Sequence, residues 1–331
     1  MNILLIGGSG TVGSALADLL ISKGNNVFLI DRNNTGKKIL NVHHIVMDYH
    51  HTLSKTIQEL VVNNKITIVV NFIVFNTEHA INDFHTFNGI IDHYFFISTA
   101  MVYDRRICSL TYTEKSKLGN PYSEYARNKI ECEIKFNYYI SKYGFPCTII
   151  RPTDTYDERT LPFPIQGPYG FWQNILRMQN GKPHIIHDDG NNLWTLTNNY
   201  DFAYGLYGLL ENKNTIGDTI QVTSDDVLSW NEIFEYVARA LNVQLIPHYI
   251  SSPILAKYGS QYDLEDTLIG DASNTSIFDN SKLIQYCPEY KTTKYFEIEV
   301  TNTIQHILSN AKYHIEDLEF DKWCDYMIEN Y

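Results

Sequence analysis

No stretch of this 331-residue chain approaches the roughly 18 to 20 consecutive apolar residues that a membrane span requires. Nor does it open on a basic, cleavable leader: Met1 runs directly into an apolar strand, so a cytoplasmic protein is expected. Basic residues are outnumbered, with 26 Lys and Arg against 38 Asp and Glu for a net charge of −12. That is the wrong sign for a surface that binds nucleic acid by releasing counterions. Cysteine is scarce and unpatterned. Cys108, Cys132, Cys147, Cys287 and Cys324 show no CxxC spacing, which argues against a zinc ribbon or disulfide framework and leaves them as reduced packing residues. The pairs His43-His44 and His50-His51 have no carboxylate or cysteine partners at ligand spacing, so no metal site is expected. Repeats and low-complexity tracts are missing too. At 44% hydrophobic and 19% charged, the composition is that of an ordinary globular protein with a sizeable core.

What the chain does have is concentrated at its start. Met1-Asn-Ile-Leu-Leu-Ile-Gly-Gly-Ser-Gly-Thr-Val-Gly13 is a short apolar strand running into a glycine-rich turn. Gly7, Gly10 and Gly13 stand at GxxGxxG spacing, and Gly8, Gly10 and Gly13 also satisfy GxGxxG. The turn can therefore close tightly and admit a pyrophosphate to its backbone N–H groups. Thr11 and Val12 belong to the same cradle, and a helix over Ser14 to Ser22 aims its partial positive end at the anion. A second apolar run, Asn26 to Ile30, ends in Asp31, 31 − 13 = 18 residues past the last glycine. A carboxylate there accepts the adenosine ribose hydroxyls and repels a 2′-phosphate, so NAD is expected over NADP, with Arg32 beside it working against that preference.

Strand-like runs alternate with helical stretches through about residue 150: Ile3 to Ile6, Asn26 to Ile30, His44 to Met47, Ile66 to Phe72, Tyr94 to Ser98 and Cys147 to Arg151, with helices such as Leu53 to Asn63 and Ser123 to Lys142. Apolar strands without polar alternation suit a doubly wound parallel α/β sheet buried on both faces. Ligands gather at the carboxyl ends of such strands, where the glycines, Asp31, Asp48, Asn71-Phe72-Ile73 and Ser98-Thr99 fall. After Arg151-Pro152 the texture changes to a loop-rich stretch, Asp154 to Gly170, broken by prolines and glycines. Beyond it lie signals at Phe171 to Met178, Tyr200 to Glu211 and Thr219 to Val222. A helix over Trp230 to Leu241 follows, with Ser229 and Glu232 at capping-box spacing, and an aromatic, mostly helical C-terminal third closes the chain.

Tyr125 and Lys129 stand four residues apart on a helical stretch, hence one turn apart on one face. Thr99, 125 − 99 = 26 residues earlier, is a hydroxyl at a strand end. A tyrosine acting as acid or base near neutrality needs a nearby cation to stabilise its phenolate, which Lys129 and a nicotinamide can supply.

Together these residues resemble the extended short-chain dehydrogenase/reductases, the family of nucleotide-sugar epimerases and dehydratases. The resemblance spans nearly the whole chain. It rests on Gly7 to Gly13, Asp31, Asp48, Phe96-Ile-Ser-Thr-Ala-Met-Val-Tyr103, Asn120-Pro-Tyr-Ser-Glu-Tyr125 with Lys129, and Arg151-Pro152. It implies a Rossmann-type doubly wound parallel sheet, with a dinucleotide-binding domain over residues 1–152 and a smaller, mixed substrate-binding region over 153–331, some segments of which return to the core. It also implies that Tyr125 is the catalytic acid/base, that Lys129 binds the nicotinamide ribose, that Thr99 fills the catalytic Ser/Thr position, and that Asp48 contacts the adenine amine. Phe72 would border the cofactor.

The dehydratases of the family carry an Asp-Glu pair where this chain has Ala100-Met101, so elimination of water is disfavoured. The expected activity is an NAD-dependent epimerase or ketoreductase acting on a sugar, nucleotide-linked as in the family. Two departures stand out. Asn191-Asn192-Leu193-Trp194 lacks the arginine that grips a substrate diphosphate, leaving Arg151, Arg159 or Arg177 as substitutes, and Asn71-Phe72-Ile73-Val74-Phe75 replaces the usual fourth-strand residues. The alternative reading is a non-catalytic or RNA-binding member that keeps the dinucleotide site. The joint presence of Thr99, Tyr125 and Lys129, and the charge of −12, oppose it. Relatives dimerise through the Tyr125 helix, and Ile130, Ile134, Phe136 and Tyr138 are read as spare apolar surface for a homodimer.

Overall fold

The computed structural model describes residues 1–32, 38–107 and 111–331; Cys108 lies outside them. The strands are β1 (Asn2–Ile6), β2 (Asn26–Asp31), β3 (His43–Val46), β4 (Ile68–Asn71), β5 (His93–Ile97), β6 (Cys147–Pro152), β7 (Asp154–Tyr156), β8 (His184–His187), β9 (Leu193–Asn198), β10 (Thr219–Val222), β11 (Val227–Ser229) and β12 (Pro247–Ile250). The helices are α1 (Thr11–Ser22), α2 (Ser54–Asn63), α3 (Thr77–Phe87), α4 (Glu124–Tyr143), α5 (Trp172–Gln179), α6 (Asn199–Leu210), α7 (Trp230–Ala240), α8 (Ser252–Tyr258), α9 (Ser281–Tyr286), α10 (Phe296–Ser309) and α11 (Leu318–Asn330).

Seven strands form one sheet in the order β10-β6-β5-β4-β1-β2-β3, every neighbouring pair parallel. Such strands must be covered on both faces, and alternate residues of β1 divide between two cores. Ile3 and Leu5 pack with Leu16 of α1 and Phe202 and Leu206 of α6. Leu4 and Ile6 pack on the opposite side with Ile57 of α2, Phe84 of α3 and Phe136 of α4. This is the Rossmann-type doubly wound α/β fold. Its strand order reverses between β1 and β4, and the crevice at their carboxyl ends is where such sheets bind ligands.

The rest of the chain adds two small sheets. In β11-β9-β7, β9 runs antiparallel to β11 and parallel to β7, and β12 pairs in parallel with β8. Their cover is a third core that includes Trp172, Trp194, Trp230, Phe296 and Trp323. β10 returns to the large sheet beside β6. Residues 154–170, expected as loop, begin with the short strand β7, whose three residues are held by β9. The sequence pattern does not announce α3, β8, β9, β11 or β12. The strands among them are only three to six residues long, and their partners make them strands. Local rules hold better at helix ends. Ser229 Oγ accepts from Glu232 N–H while the Glu232 carboxylate accepts from Ser229 N–H, closing the expected capping box.

Candidate functional site

Helix α1 begins at Thr11, three residues before the expected Ser14, with no side-chain cap on its first N–H groups. They remain available to an anion. Gly7 adopts φ +76°, and its N–H donates to Ile30 O at 2.8 Å, tying the turn to the end of β2. Gly13 is required by close approach, since a Cβ there would lie 2.7 Å from both Cα and O of Gly8. At Gly10 a Cβ would meet only Gly7 O, at 3.9 Å, and would instead occupy the open cradle above the turn.

Asp31 closes β2 beside this cradle. Its Oδ2 is buried without a hydrogen-bond partner among the described residues, and His44 Nε2 stands 3.6 Å away. Burial raises its pKa, while hydrogen bonding to Ser9 and the nearby His44 oppose the rise. An orphaned buried acceptor at this place fits the ribose hydroxyls of a dinucleotide. Asp48 is exposed, and His51 Nδ1 lies 3.0 Å from its Oδ2, which lowers the carboxyl's pKa. The second histidine pair therefore does have a carboxylate partner, because a turn of 3-10 helix over Tyr49–His51 folds His51 back onto Asp48. Arg32, next after Asp31, also lies near enough to Asp48 to help lower its pKa.

Val12, Phe72, Thr99, Tyr125 and Lys129 line a single cavity of about 440 Å³. Thr99 follows β5, and its Oγ1 accepts from Met101 N–H. Ser123 caps α4, so Tyr125 and Lys129 fall on its first turns, facing the end of β5. Lys129 is 1% exposed and donates to Ile97 O at 2.8 Å, with its Nζ 5.6 Å from the Tyr125 ring centre. Burial lowers its pKa to about 7. Tyr125 keeps 39% of its surface open, yet its concave surroundings desolvate the phenol and push its pKa up to about 12, opposed by a hydrogen bond with Thr99. At neutral pH this is a protonated phenol beside a lysine poised between charged and neutral, a pair suited to giving or taking a proton at a carbonyl oxygen.

The cavity continues past Tyr125 to Trp194, Trp230, Arg105, Asp154 and Asp271. No sequence signal joins the last three: Arg105 and Asp271 stand 166 residues apart and meet through a 2.9 Å hydrogen bond. Arg151 is committed to Glu133 at 2.9 Å and Arg177 to Asp321 and Asp325 at 2.7 Å, so neither supplies the missing clamp. Arg159, bound to Asp157, reaches the glycine turn instead, donating to Ser9 O at 3.3 Å and Ser14 Oγ at 3.2 Å. On α4, Ile134 and Tyr138 are exposed, but Phe136 is not spare surface: it is fully buried against Tyr94 and Phe96, because the helix turns that side to the sheet.

A family model described as "NAD dependent epimerase/dehydratase family" matches residues 3–86 and 86–223. No curated protein matches the sequence. Among solved structures, the fold is similar to dTDP-glucose 4,6-dehydratase from Bacillus anthracis in complex with NAD (TM-score 0.73, 16% identity, 94% of this chain and 98% of that one). It is also similar to UDP-glucuronic acid 4-epimerase from Bacillus cereus in complex with UDP-glucuronic acid and NAD (0.72, 19%, 93% and 99%). UDP-glucose 4-epimerase from Thermotoga maritima with UDP-glucose is a third likeness (0.71, 16%, 93% and 99%). Among the described residues, no helix is long and apolar enough to cross a membrane.

Proposed function

Because the chain belongs to the NAD dependent epimerase/dehydratase family, the extended short-chain dehydrogenase/reductases, we propose that it is an epimerase or ketoreductase acting on a sugar, with Tyr125 as acid/base. NAD is the cofactor, and when bound it supplies the acceptor and donor of hydride. The observation that carries the reading is the convergence of Thr99, Tyr125 and Lys129 on one cavity at the carboxyl ends of the central strands. In this reading Gly7, Gly10, Thr11, Val12 and Gly13 hold the pyrophosphate, Asp31 with Arg32 at its flank reads the adenosine ribose, and Asp48 reads the adenine. Phe72 borders the nicotinamide, and Lys129 holds its ribose. Thr99 donates to the substrate oxygen while Tyr125, as the phenolate that a charged Lys129 and the nicotinamide would stabilise, takes the hydroxyl proton during oxidation and returns it on reduction. An epimerase regenerates the cofactor in place; a ketoreductase exchanges it every cycle. Exposed Ile134 and Tyr138 on α4 suit the homodimer expected of the family.

A nucleotide-linked sugar is the first substrate to test, since the solved relatives hold UDP-glucose and UDP-glucuronic acid. The NAD-loaded protein is incubated with each, and epimer exchange is followed by NMR together with absorbance at about 340 nm. Turnover that falls by about a hundredfold or more in Tyr125→Phe, with NAD affinity unchanged, supports the assignment. Turnover that survives the substitution removes Tyr125 from the chemistry.

A further inference from the structure

Arg105 is a cation placed where a cation is costly. It is 7% exposed, and its guanidinium lies 4.9 Å from the ring centre of Tyr112 and 5.8 Å from that of Phe278. Nη2 donates to Asp271 at 2.9 Å and, at 3.5 Å, to Ala100 O. Nε and Nη1 are buried with no hydrogen-bond partner among the described residues. Guanidinium does not escape such a position by losing its proton, so unmet N–H groups on a residue that lines a cavity point to a ligand that completes it.

Acceptors stand beside these donors. Asp271 is the penultimate residue of a π-helix, Glu265–Ala272, a geometry found frequently at functional sites. Its carbonyls are held from three directions: Asn120 Nδ2 donates to Gly270 O at 2.8 Å, Trp230 Nε1 to Ala272 O at 2.9 Å, and His187 Nε2 lies 3.1 Å from Ala272 O. Asp154 and Trp194 both line the cavity, and Asp154 Oδ2 accepts from Trp194 Nε1 at 3.2 Å. Burial raises both carboxyls, Asp271 to about 6 with Arg105 opposing and Asp154 adding to the rise, and Asp154 with the Trp194 hydrogen bond opposing.

We propose that Arg105, Asp154 and Asp271 form the specificity end of the cavity and take the hydroxyl groups of an uncharged sugar ring, Arg105 donating and the two carboxylates accepting. A hydroxyl is both donor and acceptor, so vicinal hydroxyls satisfy both sets of groups at once. A phosphate or carboxylate would satisfy only Arg105, whose charge Asp271 already balances, and would face Asp154 as well. The indoles of Trp194 and Trp230 add the apolar surface that the ring's C–H face needs.

This rests on the sugar reading above, and the test separates the two. Two matched pairs serve as probes, D-glucose with D-glucuronate and UDP-glucose with UDP-glucuronic acid. Within each pair only C6 differs, as an alcohol or a carboxylate. Binding to the NAD-loaded protein is measured by calorimetry for wild type, Arg105→Met and Asp271→Asn, with NAD affinity as the control for folding. The neutral member is expected to bind about tenfold or more tightly than its acid, and Arg105→Met to weaken it by about tenfold. Asp271→Asn, which removes a charge and keeps the shape, is expected to narrow the gap between neutral and acid members, a change that a merely structural role does not produce. Preference for the acid, or neutral-sugar affinity unchanged in both variants, overturns the proposal while leaving the sugar reading in place. If no probe of either pair binds, the sugar reading itself falls and this proposal with it.

Discussion

Replacing Lys129 with methionine is expected to stabilise the NAD-free protein at neutral pH while removing its turnover. Burial holds the ammonium's pKa at about 7, against 10.5 in an open chain, a displacement worth about 4 kcal/mol of lost stability at pH 7. Part of this is recovered by the hydrogen bond to Ile97 O and the contacts with the Phe75 and Phe96 rings, about 1.5–3 kcal/mol for a bond from a charged donor. Methionine fills a similar volume without a charge, so a net gain of about 1–3 kcal/mol is expected. The pH dependence identifies the cause. A lysine whose folded-state pKa lies below its unfolded value leaves the folded protein with fewer bound protons between pH 7 and 10.5, so wild-type stability climbs with pH across that window. Without the lysine the variant lacks this climb, and its advantage shrinks by about 2 kcal/mol from pH 7 to 9. Urea unfolding of both proteins at pH 7, 8 and 9, followed by tryptophan fluorescence and circular dichroism, measures the difference directly. A variant less stable at pH 7, or two parallel pH profiles, would refute the argument that a destabilising charge is held in place for function.

The glycine turn offers a contrast between two substitutions. Gly13→Ala forces a Cβ to within 2.7 Å of Gly8 backbone, and is expected to cost about 1–3 kcal/mol and to weaken NAD binding together. Gly10→Ala meets nothing nearer than 3.9 Å, and is expected to leave thermal stability nearly unchanged while weakening NAD by filling the cradle. Equal thermal midpoints for the two variants would contradict this geometry. Asp31→Ser removes the carboxylate at the end of β2 together with its unpartnered Oδ2, and is expected to shift the ratio of NADP to NAD affinity upward by about tenfold, measured by fluorescence titration. An unchanged ratio would take Asp31 out of cofactor selection.

Most of the dinucleotide half was legible in the sequence because its instructions are local. An unbroken apolar strand, a glycine turn whose spacing follows from steric approach, and a carboxylate at the next strand end each state their geometry within a few residues. The four-residue step from Tyr125 to Lys129 likewise fixes one helix face, and Ser229 with Glu232 predicts a capping box from side-chain chemistry alone. The pattern was less informative where the answer depends on which side of an element meets the core. Phe136 reads as spare surface on α4 and is buried. His51 reads as unpartnered and is folded onto Asp48.

What the sequence by itself determined was therefore the doubly wound sheet with a glycine turn at its switch point, encoded by short-range periodicity and spacing; Thr99, Tyr125 and Lys129 are singled out by the family resemblance, and the fold lines them along one cavity. Only the tertiary structure decided the far end of the cavity. Arg105 comes from the segment after β5, Asp154 from a three-residue strand held by β9, and Asp271 from a π-helix held by Asn120, Trp230 and His187. Each of those elements depends on partners distant in the chain, and Arg105, with two guanidinium nitrogens unmet among the described residues, meets Asp271 and Phe278 only through the tertiary fold.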